Sequence, residues 1–374
     1  MKIKEFGVEI WMNETENNCE LNLGETCVES VTIQELLVLC GKNDTDLSDL
    51  LPMKMTYGAI EGSAKLRAAI SALYSSQEPE NVLVTHGTIG ANALIYETLV
   101  EPGDRVVTVL PTYQQHYSIP ESYGADVQIL RALHENAFLP DLDALTELAT
   151  PGTKLISFSN PNNPTGALMD RDYLMRVIDI ARSCGAWILS DEVYRGANQD
   201  GDGTTESIAD LYEKGISTAS VSKVFSLAGI RLGWIAAPEE IIQAASIHRD
   251  YNTISVGMIN DYFATMALEN SEKILARTRE ITRKNLAVLD EWVVSEPAIS
   301  YVKPKSGTTA FLKVDIDMPS RDFCLKLLAE TGVLLVPGSA FDVEGYVRIG
   351  YSNHVDVLRE GLSRVSEFLR SAQA

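Results

Sequence analysis

Between residues 81 and 237 the chain alternates short runs of β-branched and apolar residues with longer segments of helical spacing. The runs are NVLVTHG (81–87), RVVTVL (105–110), DVQIL (126–130), KLISFSN (154–160), AWILSD (186–191), STASVS (217–222) and LGWIAA (232–237). Runs this apolar read as strands buried on both faces, and their alternation with helices predicts βαβ units. The expected fold class is α/β, with a mostly parallel seven-stranded sheet flanked by helices. In such sheets ligands sit beyond the carboxyl ends of the strands, so the loops after each run are where chemistry is sought.

From about Glu239 to about Val294 the pattern changes to long helical periodicity. The last part mixes strands (TTAFLKV, GVLLVPG, YVRIG) with helices and ends in VDVLREGLSRVSEFLR at 355–370, which predicts a smaller α+β domain. The first 45 residues or so do not fit the βαβ rhythm. The expected organisation is an arm over 1–45 that packs with the small domain, a large domain over 46–275 and a small C-terminal domain over 276–374.

Composition narrows the function classes. Lysine and arginine number 31 against 52 acidic residues, a net charge of −21, which opposes binding to nucleic acid or to an anionic membrane surface. No apolar run follows the opening lysines and none is long enough to span a bilayer, so a cytoplasmic protein is expected. Cys19, Cys27, Cys40, Cys184 and Cys324 are odd in number and lack C-x-x-C spacing, which predicts reduced thiols. The five histidines stand singly, and no metal is expected.

The segment SVSKVFSLAGIRLGW (220–234) sets Lys223 directly after a predicted strand among small and apolar residues. Desolvation there is expected to lower the ammonium pKa and free the amine to attack an aldehyde carbon. Ser220 precedes the lysine by three positions and Arg231 follows it by eight, so a hydroxyl and a guanidinium flank it as a phosphate site requires. In HGTIGANAL (86–94) a strand joins a helix, so the N–H groups of Gly87, Thr88 and Ile89 can face an anion. SDEVY (190–194) ends a strand with Asp191, a carboxylate suited to holding a pyridine nitrogen protonated or, equally, to capping a helix. NPNNPTG (160–166) is a stiff loop whose Asn163 can donate to a phenolate oxygen, with Tyr194 as a second donor.

Together these motifs resemble the fold type I pyridoxal-phosphate enzymes, in the class I/II aminotransferase group, from LNLGE (21–25) through YVRIG (346–350). The resemblance implies the cofactor pyridoxal 5′-phosphate and a Schiff base through Lys223, which would shuttle the proton at the substrate α-carbon. It implies that Asp191 pairs with the pyridine nitrogen, that Asn163 and Tyr194 bind the ring oxygen, and that Tyr113 stacks on the ring. Gly87, Thr88, Ile89, Ser220 and Arg231 would hold the phosphate, and Ser222 would also bind the cofactor. Arg348, with Asn163 and Gly24, would bind the substrate, Arg348 gripping the α-carboxylate with its planar fork. Tyr57 matches a tyrosine that reaches the phosphate of a neighbouring subunit, which implies a homodimer with shared sites acting on amino acids and 2-oxo acids.

The sequence also departs from the best-known relatives. Enzymes selective for dicarboxylic substrates bring a second arginine from the partner, and the corresponding YNTISVGM (251–258) offers Ser255, Val256 and Gly257. The opening EIWMNETENNCELNLGE resembles the arm of capreomycidine-synthase-like enzymes. Cofactor motifs alone do not choose among transamination, elimination, decarboxylation and cyclisation, because the bond broken depends on how the substrate is held. Ser220 with Lys223 also satisfies S-x-x-K, and Lys305-Ser306-Gly307 resembles K-[ST]-G, but no S-x-N lies between them. A regulator that senses an amine on the same fold would need a basic DNA-binding domain.

Overall fold

The computed structural model describes residues 2–372. The chain opens with a helix, Gly7–Thr15, and a short strand, β1 (Leu21–Asn22). Then come β2 (Val82–Thr85), β3 (Arg105–Leu110), β4 (Asp126–Arg131), β5 (Leu155–Ser159), β6 (Trp187–Asp191), β7 (Gly215–Ser220) and β8 (Gly233–Ala236). These seven form one sheet in the order β2-β8-β7-β6-β5-β3-β4. Only β8 runs against its neighbours β2 and β7, so the sheet is mostly parallel. Every residue of β2, β5 and β7 is buried, as expected when helices cover both faces of a parallel sheet.

The covering helices are ended by local chemistry. Helix Arg171–Cys184 starts where the Asp170 side chain accepts from the Tyr173 N–H at 2.9 Å, and it stops at Gly185, whose φ of 77° suits a residue without Cβ. Helix Gly87–Leu99 differs: no side chain caps its N-terminus, so its first N–H groups stay free for something else.

The smaller unit holds β9 (Ile299–Tyr301), β10 (Thr309–Val314), β11 (Val333–Leu334), β12 (Val336–Pro337) and β13 (Tyr346–Gly350). Four of these make an antiparallel sheet, β12-β13-β10-β9, packed by helices Ser320–Thr331 and Val355–Ala372. The N-terminal segment is built into this unit. β1 pairs in parallel with β11, and the fully buried Trp11 donates its indole N–H to the Leu335 carbonyl at 2.9 Å.

Two observations bear on the expected boundaries at 45/46 and 275/276. Helix Ile33–Leu39 buries Leu36 and Leu37 against Leu66, Ile70 and Phe263 of the larger unit, not against the smaller one. Helix Ser271–Ser295 runs through position 275; Ile274 enters that same cluster, whereas Leu286, Leu289 and Val293 join the core shared with the small sheet. One continuous helix therefore serves two cores, and its 25 residues carry no break that sequence could mark.

Candidate active site

The carboxyl ends of the parallel strands open onto a cavity of about 280 Å³ between the large sheet, the N-terminal segment and β13. Each strand delivers its residues through the loop that follows it: Thr88 and Ile89 after β2, Tyr113 after β3, Asn163 after β5. Asp191 and Tyr194 come from the end of β6, and Ser220, Ser222 and Lys223 from the end of β7. Arg231 precedes β8, Arg348 lies within β13, and Gly24 follows β1. Two expected residues do not line the cavity. Gly87 is buried beside Arg231, and Tyr57 is 70% exposed.

Asp191 is 5% exposed and accepts from the Asn92 amide at 2.9 Å and from the Val193 N–H at 3.2 Å. His116 Nε2 lies 3.8 Å from the same carboxylate, while its Nδ1 meets the Tyr96 hydroxyl at 2.9 Å. Asn92 is in turn oriented by Thr218, whose hydroxyl donates to its Oδ1 at 2.6 Å. Sequence reading did not single out Asn92; a lone buried amide in the apolar GTIGANAL is the signal that could have found it. Glu9, Glu25 and Thr26 were missed as well, because their chain segment is remote and only the fold brings it over the cavity.

Lys223 donates from Nζ to Thr26 Oγ1 at 2.6 Å and to Cys27 Sγ at 3.6 Å. The expected lowering of its pKa is overturned. Burial does lower it, but interactions with Cys27, Tyr194 and Glu25 outweigh burial and hold the amine above the ordinary lysine value. Burial also raises the Cys27 thiol and the Tyr194 phenol, so both are neutral near pH 7 and Glu25 is the anion facing the amine. The carboxyl of Glu25 is held below its usual range, against the penalty of burial, by Lys223 and by the N–H groups of Thr26 and Cys27. Tyr194, protonated, keeps its hydroxyl as a donor.

Arg231 adopts a left-handed backbone, φ 52°, a conformation that costs a non-glycine residue of order 1–3 kcal/mol and is kept where function needs it. Its Nη1 reaches the Ala228 carbonyl at 2.9 Å and Ser222 Oγ at 3.4 Å. A Cβ on Gly87, φ 71°, would stand 2.8 Å from its Nη2, so glycine there lets the guanidinium close on the uncapped helix end. Thr88 Oγ1, in the same turn, is buried without a partner. Gly233 serves the same packing: a Cβ there would overlap the Gly87 backbone and lie 2.6 Å from Thr88 N.

Arg348 is 3% exposed. Its Nη2 donates to the Gly24 carbonyl at 2.8 Å, its Nη1 to Asn163 Oδ1 at 3.2 Å, and its Nε has no partner. Burial pulls this guanidinium below its ordinary pKa, countered by Tyr194 and Glu25. Tyr113 donates its hydroxyl to Glu9 Oε1 at 2.5 Å and sets its ring 4.6 Å from that of Phe6. Arg249, two residues before YNTISVGM, does not line the cavity; it is buried and donates to the Val84 carbonyl at 3.0 Å.

The family model of aminotransferase class I and II matches residues 44–365. The chain belongs to that family. A crystal structure of a PLP-dependent aminotransferase from Streptococcus suis 89-1591 is 45% identical, with a TM-score of 0.96 over 100% of this chain and 99% of that one. Capreomycidine synthase of Streptomyces vinaceus is 30% identical over 97% of this chain and 93% of its own length. The structure of the PLP-dependent cyclase OrfR is 27% identical, with a TM-score of 0.92 over 100% of this chain and 99% of that chain. The class I/II aminotransferase resemblance and the fold type I architecture read from the motifs both stand.

The residues of the cavity fit a phosphorylated pyridine aldehyde. The uncapped helix end, the unpartnered Thr88 hydroxyl and Arg231 make an anion cup. The buried Asp191 carboxylate, the Tyr194 phenol, the Asn163 amide and the Lys223 amine complete the donor set. No helix among the described residues is long and apolar enough to cross a membrane.

Proposed function

We propose that the cavity transaminates an L-α-amino acid, with Lys223 as the residue that would hold the cofactor aldehyde and move the proton at the substrate α-carbon. The protein is a pyridoxal-phosphate-dependent aminotransferase of the class I and II family. When bound, the cofactor supplies an electron sink for the α-carbon. The observation that carries the assignment of roles is that Arg231 and Arg348 line one cavity with separate partners, with Lys223 beside them and Asp191 buried beneath.

In this reading Asp191, aimed by Asn92, keeps a proton on the pyridine nitrogen; a buried carboxylate in a fixed position does this without reorganising. Tyr194 and Asn163 donate to the ring oxygen. Gly87, Thr88, Ile89, Ser220 and Arg231 would hold the phosphate, with Ser222 also at the cofactor. Arg348 offers its free Nε and remaining donors to the α-carboxylate, so the α-hydrogen is presented to Lys223.

We also assign a homodimer. Leu51, Met55, Tyr57 and Tyr251 are large apolar side chains left exposed, and a second copy covering Tyr57 would carry it toward a neighbouring site. Five free cysteines support a reducing, cytoplasmic setting. Elimination with cyclisation is the second reading, favoured by capreomycidine synthase and the OrfR cyclase matching nearly the whole chain.

The visible spectrum of the holoenzyme separates the two. An amino acid added without 2-oxo acid should convert the band lastingly to that of the amine form of the cofactor. A band that shifts and returns while ammonia or a cyclic product is released would replace transamination with the second reading.

A further inference from the structure

We propose that this cavity selects an amino acid whose side chain ends in a cation, an ammonium or a guanidinium, and that Glu9 and Glu16 are the residues that select it. The inference rests on the amino-acid reading above and adds the substrate class.

Helix Gly7–Thr15 and the turn Glu16–Asn18 after it place Val8, Glu9, Met12 and Glu16 at helical spacing, and all four line the cavity. A helix that covers an interior turns its apolar stripe inward; this one puts the half-buried Glu9 in that stripe, and the turn after it sets the exposed Glu16 at the open edge of the cavity. Neither carboxylate forms an ion pair among the described residues. The Tyr113 hydroxyl occupies Glu9 Oε1 and orients the group without neutralising it.

The cations of the cavity are engaged elsewhere. Arg231 bonds Ala228 and Ser222, Lys223 bonds Thr26 and faces Glu25, and Arg348 bonds Gly24 and Asn163. An independent observation points to the ligand: Arg348, 3% exposed and lining the same cavity, keeps an unpartnered Nε that calls for a carboxylate. A ligand that meets Arg348 with a carboxylate and Glu9 and Glu16 with a positive charge is a basic amino acid. Val8 and Met12, which line the same wall, suit its methylene stem. The same acids repel a dicarboxylic substrate.

The test titrates the holoenzyme with pairs that share the amino-acid head and differ in side-chain charge: L-arginine against L-citrulline, and L-lysine against L-norleucine. The readout is the concentration that half-saturates the change in the visible band. The cationic member of at least one pair should act at a concentration lower by about tenfold or more, and the pair that separates more tells guanidinium from ammonium. Glu9→Gln and Glu16→Gln should shrink that ratio toward unity, and Glu16→Lys should favour L-glutamate. Equal concentrations within both pairs would overturn charge selection while leaving the amino-acid reading intact. A ratio unchanged in both glutamine variants would remove these residues from the role. Silence of the band toward every amino acid would overturn the amino-acid reading itself, and this inference with it.

Discussion

Replacing Arg348 with lysine keeps one positive charge in β13 and removes the fork. Arginine offers three nitrogens here: Nη2 holds the Gly24 carbonyl at 2.8 Å, Nη1 holds Asn163 Oδ1 at 3.2 Å, and Nε is free. A lysine ammonium is a single point that cannot hold Gly24, hold Asn163 and grip a carboxylate together. Losing one hydrogen bond to a charged group costs about 1.5–3 kcal/mol, so kcat/KM should fall roughly 10- to 150-fold. The carboxylate is held alike before and during the reaction, so most of that loss should fall on KM. Single-turnover kinetics with the amino acid and with its methyl ester isolate the effect, because the ester lacks the charge that Arg348 would bind. The variant and the wild type should differ with the acid and converge with the ester. A variant within about twofold of wild type on the free acid would refute the carboxylate role and move that site elsewhere.

Lys223→Ala should abolish turnover while the fold survives, checked by circular dichroism beside activity, because one lysine stem contributes little to a core. Asp191→Asn should retain the cofactor and lose about 10²–10³-fold in kcat, since a neutral amide cannot keep the ring nitrogen protonated. In Gly233→Ala the added Cβ meets the Gly87 backbone and Thr88 N, so helix Gly87–Leu99 must retreat; stability should drop by about 1–3 kcal/mol and cofactor affinity with it, read by denaturation and by cofactor titration. Tyr74, buried and bonded to Ser217 Oγ and Trp234 Nε1, has its pKa pushed up to about 12 by burial first and Glu192 second. The unfolded chain loses that proton near its ordinary value of 10.0 and the folded chain only near 12, so this stability is present below pH 10 and lost as pH rises to 12. The stability difference between wild type and Tyr74→Phe should shrink by about 2–3 kcal/mol over that window; a constant difference would show that Tyr74 does not titrate with unfolding.

Much of the molecule could be read from local pattern. The seven runs predicted as strands became β2 to β8 within two residues at either end, because strands buried on both faces must be apolar along their whole length. The single antiparallel member was not legible: LGWIAA looks like the other runs, and its direction follows from where the strand after Arg231 is inserted, between β2 and β7. The motif residues that follow strand ends, Thr88, Asn163, Asp191, Ser220 and Lys223, converge because parallel strands present their carboxyl ends on one side of a sheet. Asn92 and Thr26 carry no such address.

The direction of the Lys223 shift shows most sharply where local reading stops. Its neighbours in the chain are small and apolar and argue for an amine freed by desolvation, whereas Glu25 and Cys27, nearly two hundred residues away in sequence, argue the reverse and prevail. Chain order carried the strand and helix periods, the loops at the strand ends and the placing of Lys223 after a strand, since each depends on residues within a few positions of one another. Cavity charge did not follow from chain order. It arises where an N-terminal helix, a strand near the C-terminus and the ends of a central sheet meet, and Coulomb interactions depend on distances in space that only packing sets.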